Sequence, residues 1–80
     1  MPLYYFDTRD DDEVTRDDVG LRLDGVQAAR DLAAKSLAEL AVDALPGSSR
    51  RCLGVDVRDE RSAVLTTELI FEARLAGRAD

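Results

Sequence analysis

The chain has 80 residues, of which 17 are acidic and 11 are basic, and its formal net charge is −6. A single cysteine and no histidine exclude an intrachain disulfide and the usual nitrogen and sulfur ligand sets of zinc. The acidic balance disfavours generic binding to nucleic acid, which relies on a cationic face. We therefore expect no cofactor and no nucleic-acid partner, and a basic protein is the more natural partner.

A chain of this size builds one modest core and often gains stability from a partner subunit. We expect a single domain over residues 1–76 and a frayed tail at residues 77–80. The first residues lack the basic and apolar segments of a signal peptide, and no apolar stretch approaches the ~20 residues that span a bilayer. Since an unpaired cysteine favours a reducing compartment, these features predict a cytoplasmic protein without membrane association.

The first part of the chain predicts strands. Residues 3–9 alternate in polarity and include consecutive aromatic side chains, which is typical of a strand. The acidic run at residues 10–13 repels itself and predicts a turn in solvent. A short second strand around residues 14–16, or around residues 21–23, can then return antiparallel to the first.

A long helix is predicted over residues 25–45. Asp24 and Gln27 have the spacing of a capping box at its start. Pro46 and Gly47 end it, because the residue before a proline is displaced from the helical region. Apolar residues recur at helical spacing between these signals. The predicted buried stripe includes Val26, Ala29, Ala33, Leu37, Leu40 and Ala44.

Two alternating segments follow the helix, at residues 51–58 and 64–74, and a polar loop of hairpin length separates them. The inward residues of the first segment are Leu53, Val55 and Val57. A tight hairpin between the last two strands excludes a parallel, doubly wound sheet. The order β-β-α-β-β predicts an α+β fold, in which one long helix packs on one face of an antiparallel three- to four-stranded sheet.

Two short motifs carry a family resemblance: the opening Met1-Pro2-Leu3-Tyr4-Tyr5-Phe6-Asp7 and the later Asp17-Asp18-Val19-Gly20-Leu21-Arg22-Leu23. With the alanine-rich helix and the closing hairpin, they resemble a family of short uncharacterised alphaproteobacterial proteins, frequent in rhizobia, with a domain of unknown function. The resemblance extends to about Leu75 and implies a fold and a compartment but no catalytic residue. The chain departs from the pattern at Asp7, where histidine is frequent, and at Asp11, where a turn usually has glycine.

A more distant likeness is to the sheet-and-helix domain of HicB-type antitoxins, which bind a small basic toxin. This likeness concerns the fold alone, and a fold does not determine a function.

The acidic loop is the first candidate site. Asp10, Asp11, Asp12 and Glu13 offer the hard oxygen ligands that calcium and magnesium prefer. Consecutive loop residues cannot all converge on one ion, however, and a charged turn also protects an edge strand from aggregation. Divalent-cation or small-ligand binding by this loop is therefore the alternative function.

Cys52 lies on the outward side of its predicted strand, near Arg50, Arg51 and Arg58. Neighbouring cations lower the pKa of a thiol and raise its reactivity. A small structural cysteine, under a loop or at a subunit contact, is the other interpretation, and both stay open at this point.

The chain lacks histidine and an activated nucleophile, so we expect no catalytic activity. The last strand instead places the aliphatic Ile70 on its polar side, and exposed apolar strips of this kind often mark protein contacts. The interface candidates are Val64, Thr66, Glu68, Ile70 and Glu72. These features predict a small intracellular protein-interaction or regulatory module that forms a homodimer through its closing hairpin.

Overall fold

The computed structural model describes residues 1–77, which form one helix and five strands. The elements are β1 (Leu3–Asp10), β2 (Glu13–Thr15), β3 (Leu21–Arg22), α1 (Val26–Ala44), β4 (Arg50–Arg58) and β5 (Ala63–Glu72). All strand pairs are antiparallel, and the sheet has the order β2-β1-β4-β5, with β3 also paired to β1. The predicted α+β fold is confirmed, with five strands in place of three to four.

Both of the short strands that the sequence offered as alternatives are present, and they share one edge of β1. Near the carboxyl end of β1, Thr8 lies opposite Thr15 of β2. Near its amino end, Leu3 lies opposite Arg22 of β3. Because β1 has eight residues, it can pair with one short strand at each end.

The core lies between α1 and the central strands of the sheet. Ala29 and Ala33 of the helix are fully buried, and their small side chains allow a close approach to the sheet. Leu53, Val55 and Val57 of β4 lie beneath the helix and are at most 1% exposed. The alternation predicted for β4 is confirmed, because every second side chain of its central part faces the helix.

The start of α1 differs from the predicted one. The helix begins at Val26, its N-cap residue is Gly25, and no side chain makes a cap hydrogen bond. The predicted capping box of Asp24 and Gln27 is therefore wrong, because a shift of the N-cap by one residue removes the spacing that the box requires. Val26 is 54% exposed and does not belong to the buried stripe.

An irregularity in the β4–β5 hairpin changes the position of one interface candidate. Val57 pairs with Leu65, and the next residue, Arg58, pairs with Ala63, so that Val64 is an extra residue on β5. A bulge of this kind re-aims the inserted side chain. Val64 is half-buried and packs against the core, so its prediction on the outer side of the strand is wrong.

No helix within residues 1–77 is long and apolar enough to cross a bilayer. Of the predicted frayed tail, residues 78–80 lie outside the described residues.

The burial of β4 predicts which aliphatic residues carry stability. Leu53→Ala is expected to lower the unfolding free energy by about 2–5 kcal/mol, because it removes fully buried methyl groups and leaves a cavity. Val42→Ala is the matched control on the exposed side of α1 and is expected to change it by less than about 0.5 kcal/mol. Urea denaturation measures both, and equal losses would contradict the assigned core.

Candidate functional site

The sheet has one face beneath α1 and an opposite face, here named the open face, that no element in residues 1–77 covers. Cross-strand partners share a face, so the register of β1, β4 and β5 defines its members. The open face consists of Leu3, Tyr5, Asp7, Arg9, Arg50, Cys52, Gly54, Asp56, Arg58, Ala63, Thr66, Glu68, Ile70 and Glu72. The open face and the edge of β5 beside it form the candidate functional site.

Arg9 lies at the centre of the open face and connects three strands. Its Nε donates to Asp56 Oδ2 at 2.7 Å, and its Nη2 donates to Asp56 Oδ1 at 3.2 Å. The same Nη2 donates to the carbonyl oxygen of Thr67 at 3.2 Å, and Nη1 lies 3.7 Å from Glu68 Oε1. The hydrogen bond to Asp56 is the main cause that raises the pKa of Arg9. This guanidinium therefore links β1 to both β4 and β5.

Gly54 makes room for the Arg9 side chain. It pairs directly with Arg9 across the two central strands, and a Cβ at this position would lie 2.1 Å from Arg9 Nη2. Gly54 is buried, although it belongs to the outward side of its strand, because the guanidinium covers it. A lone glycine within a strong strand pattern is the sequence signal that indicates such a close approach.

A second cluster surrounds Arg58. Its Nε donates to Asp7 Oδ2 at 2.9 Å, and its guanidinium carbon lies 4.3 Å from the ring centroid of Tyr5, within cation–π distance. Asp7 Oδ1 also accepts from the amide of Asp17 at 2.8 Å. Burial alone raises the pKa of Asp7, but the bonds from Arg58 and from the Asp17 amide outweigh it, so this pKa lies below its usual value.

Asp17 organises the loop between β2 and β3. Its Oδ2 accepts from the amide of Phe6 at 3.0 Å. This bond gives the β1 amide a hydrogen-bond partner in the gap between β2 and β3. Its Oδ1 accepts from the amides of Val19 and Gly20 at 3.0 and 3.2 Å. Gly20 has φ 79°, and a Cβ there would lie 3.0 Å from the ring of Tyr5. The second family motif thus forms this loop, a role that the sequence analysis did not find.

Asp10 of the acidic loop belongs to the helix side of the sheet and is bound by Arg51. The Nε and Nη2 atoms of Arg51 donate to its two carboxylate oxygens at 2.6 and 2.7 Å. Nη1 donates to the carbonyl of Ala44 at 3.1 Å and to Ser48 Oγ at 2.7 Å. Ala44 is the last residue of α1, and a cation is favourable at the carboxyl end of a helix. Arg51 therefore connects this end of α1 to the β1–β2 turn.

The other acidic residues of the loop do not converge with Asp10. Asp11 has φ 55°, in the left-handed region that favours glycine. Its Oδ1 accepts from the amide of Cys52 at 2.9 Å, whereas Asp12 and Glu13 are exposed. Within residues 1–77, no group of three acidic or cysteine side chains is placed to hold a metal ion. Cation binding by the loop stays a prediction, and this geometry does not favour it.

The Cys52 thiol donates to Glu68 Oε1 at 3.1 Å. This hydrogen bond, partial burial and the negative charge of Glu68 raise the pKa of the thiol, which opposes the lowering expected from nearby arginines. Each of Arg50, Arg51 and Arg58 contacts a carboxylate of its own instead. The surroundings of Cys52 therefore favour a structural thiol over a reactive one.

β5 is an edge strand, because nothing in the described residues pairs with its far side. The amide of Ala73 donates to the carbonyl of Ser49 at 2.8 Å, which fixes the phase of the β4–β5 ladder. Hydrogen-bonded and non-hydrogen-bonded pairs alternate in such a ladder, so every second residue of β5 directs its N–H and C=O away from β4. These residues are Thr66, Glu68, Ile70 and Glu72.

Four of the five interface candidates thus lie together, with outward backbone groups, while Val64 lies apart from them. By contrast, a shallow depression of about 330 Å³ beside the β4–β5 turn is lined in part by charged side chains that bind one another, such as Asp7 and Arg58. The unpaired backbone N–H and C=O groups on this side of the molecule lie along the edge of β5.

Comparison with protein families gives one match. A family model described as a domain of unknown function, DUF6894, matches residues 3–72, which extend from β1 to the end of β5. Neither a comparison with curated proteins nor one with solved structures found a match.

The contact between Arg9 and Gly54 predicts that the effect of Gly54→Ala on the unfolding free energy depends on Arg9. Gly54→Ala is expected to lower the unfolding free energy by about 1 kcal/mol, because the new methyl group displaces the guanidinium from Asp56. In the Arg9→Met background it is expected to be neutral or to stabilise by about 0.5–1 kcal/mol, since glycine is unfavourable within a strand. Urea denaturation of the four proteins measures the coupling, and an equal cost in both backgrounds would refute it.

Three carboxylates predict a loss of stability in acid. The pKa values of Asp7, Asp10 and Asp17 are lowered in the folded chain, whereas an unfolded aspartate titrates at about 3.9. The unfolded state therefore binds more protons on acidification. The unfolding free energy is expected to be constant above about pH 5 and to decrease as the pH falls through the folded-state values.

Asp17→Asn is the variant that tests this assignment, and Asp12→Asn is its exposed control. Asp17→Asn is expected to flatten the dependence of the unfolding free energy on pH, and Asp12→Asn to retain it. Urea denaturation from about pH 3 to pH 7 provides the comparison. Identical pH profiles for the wild type and Asp17→Asn would contradict the role given to Asp17.

Proposed function

The chain belongs to the DUF6894 family, and we propose that this member is a small cytoplasmic protein-interaction module without catalytic activity, which forms a homodimer through the edge of β5. The finer proposal is that the protein is alphaproteobacterial and regulatory, and that its dimer binds a small basic protein, as HicB-type antitoxin domains do. The edge of β5 and the small core support the homodimer, and an acidic surface supports the basic partner.

The edge of β5 is the observation that carries the proposal. Its ten residues form a long strand without proline or lysine, the residues that commonly protect an edge from pairing. The bulge at Val64 interrupts only its beginning, so that residues 65–72 form a regular ladder with β4. Such an edge can accept another strand through main-chain hydrogen bonds.

The opposite edge of the sheet is different. There, β1 is covered in part by β2, of three residues, and in part by β3, of two residues. The Asp17 carboxylate occupies the gap between them by accepting from the amide of Phe6. Because this edge is short, interrupted and capped by a side chain, it offers little for strand addition, whereas β5 offers a continuous ladder.

The size of the core supports self-association. Three large side chains, Leu53, Val55 and Val57, are fully buried in the described part of the chain. Small domains often gain the burial that they lack from a second subunit. Pairing β5 with a second copy would extend the apolar side of the sheet, because the half-buried Leu69 lies at this edge beside the core.

A basic partner is supported by the acidic rim, which we define as the exposed Asp12, Glu13 and Asp18. None of these three has a salt bridge among residues 1–77. The rim lies at the β2 side of the molecule, so it stays accessible when β5 is paired. An uncompensated acidic surface attracts cationic proteins, with a dependence on salt concentration.

Light scattering coupled to size exclusion, over a concentration series, tests the homodimer with two variants of one residue. Ile70→Pro removes an N–H that points away from β4, so it blocks an added strand without removing a bond of the β4–β5 ladder. Ile70→Thr keeps that N–H and a β-branched side chain. We expect dimers for the wild type and for Ile70→Thr, and a folded monomer for Ile70→Pro.

Circular dichroism provides the control that Ile70→Pro is folded. A wild-type protein that stays monomeric at every concentration would refute the homodimer, and a dimer of Ile70→Pro would exclude the β5 edge as its interface.

A further inference from the structure

We infer that two copies of the chain pair β5 with β5 in one register, with the two-fold axis at Leu69. The inference rests on the proposed homodimer and adds its geometry. It follows from the backbone phase of β5 and from the positions of its two glutamates.

The backbone phase limits the choice of register. A two-fold axis perpendicular to the sheet makes the two β5 strands antiparallel and leaves both helices on the same face. Residues whose N–H and C=O groups point outward must then lie opposite one another, and on β5 these are the even-numbered residues 66–72. Four registers that pair at least half of residues 65–72 meet this condition, with the axis at Thr67, Glu68, Leu69 or Ile70.

Charge and the length of the pairing select among the four registers. With the axis at Glu68, this carboxylate lies opposite its own copy. With the axis at Ile70, Glu68 of each chain lies opposite Glu72 of the other, twice by symmetry. Like charges directly opposite each other destabilise a strand pair. In the Thr67 register Glu68 lies opposite Thr66, but this register pairs residues 65–69 alone and then meets the bulge at Val64. The Leu69 register pairs residues 66–72, so it is the longest of the four in which no acidic residue faces another.

The Leu69 register also matches side chains on both faces. On the open face, Glu68 lies opposite Ile70 of the second copy, and Thr66 lies opposite its Glu72. On the helix side, Leu69 meets its own copy and Thr67 meets Phe71 of the other chain. Leu69 packs against the core of its own chain, so the two cores become continuous across the interface. A single apolar layer then lies beneath the two helices.

Glu68 connects this interface to the rest of the open face. Its carboxylate already accepts from the Cys52 thiol and lies near Arg9, and the side chain is 50% exposed. In the Leu69 register, the apolar side chain of Ile70 from the second copy covers this carboxylate. Removal of water there strengthens the attraction between Glu68 and Arg9, because the local dielectric constant falls.

A cysteine scan in the Cys52→Ser background tests the register. The four single variants are Thr67→Cys, Glu68→Cys, Leu69→Cys and Ile70→Cys, and each one places a thiol at the axis of one register. Opposed residues in a strand pair have Cα atoms about 4.5–5.5 Å apart, which is within disulfide range. Under air oxidation we expect a cross-linked dimer from Leu69→Cys on a non-reducing gel, and monomers from the other three.

The outcomes of the scan separate the register from the homodimer itself. Cross-linking at position 67, 68 or 70 alone would overturn the Leu69 register and leave the homodimer in place. No cross-link in a protein that light scattering shows to be dimeric would overturn both the register and the use of β5. A protein that is monomeric by light scattering would refute the proposed function, on which the register depends.

Charge variants of Thr66 provide a second readout that needs no change in the core. In the Leu69 register Thr66 faces Glu72, so Thr66→Arg is expected to tighten dimerisation roughly 2- to 30-fold and Thr66→Glu to weaken it by a similar factor. In the Ile70 register Thr66 faces Arg74 and the signs are reversed. Sedimentation equilibrium measures the dissociation constants, and reversed or equal effects would overturn the Leu69 register.

Discussion

One helix can cover only one face of a sheet, and this constraint determines the chemistry of the strands. On the covered face, the sheet carries aliphatic side chains, and the helix meets them with alanines such as Ala29 and Ala33. On the open face, the same strands carry arginines and carboxylates that bind one another across the strands. Partly exposed ion pairs each contribute little to stability, but they keep this face hydrated while they connect neighbouring strands. The alternation along β4 therefore places apolar side chains on the covered face and polar, hydrated side chains on the open face.

The ion pairs have a second consequence, because they join residues that are distant in the sequence. Arg9 contacts Asp56 on β4, and Arg58 of β4 contacts Asp7 on β1, with separations of 47 and 51 residues. A slip of one residue in the β1–β4 pairing would move each charge to the other face of the sheet. The acidic excess near the amino terminus is thus partly neutralised by arginines of β4, and the pairs help to specify the register between these two strands.

Features that depend on local sequence patterns could be predicted, whereas features that depend on contacts between distant residues could not. The helix, the β4 alternation and the closing hairpin follow from local periodicity, and their predicted limits differ from the observed ones by one or two residues. The Asp24 capping box failed because a cap depends on one residue of phase, which periodicity does not fix. The roles of Arg9, Gly54 and Asp17 depend on partners brought together by the fold, so local patterns could not assign them.

In the candidate site, the sequence could predict the face on which side chains of β5 lie but not the direction of their backbone groups. Alternation alone placed Thr66, Glu68, Ile70 and Glu72 on one side of β5, and the structure agrees. It could not show that the same four residues direct their backbone groups outward, since that phase depends on how β4 pairs with β5. Nor could it place Val64, which a bulge turns toward the core.

The outward backbone groups of β5 and the charges of its side chains act together in the proposed dimer. Outward main-chain groups supply the attraction between edges, and they do so in any register of the correct phase. Selection of one register then depends on the side chains of the open face, where Glu68 and Glu72 make the registers centred on Glu68 and Ile70 unfavourable. The bulge at Val64 limits the register centred on Thr67 to a shorter pairing. Glu68 is also a neighbour of Arg9 and of the Cys52 thiol. The residue that selects the register is therefore held by the same network that keeps the open face polar, so the position of its charge is fixed before a second strand arrives.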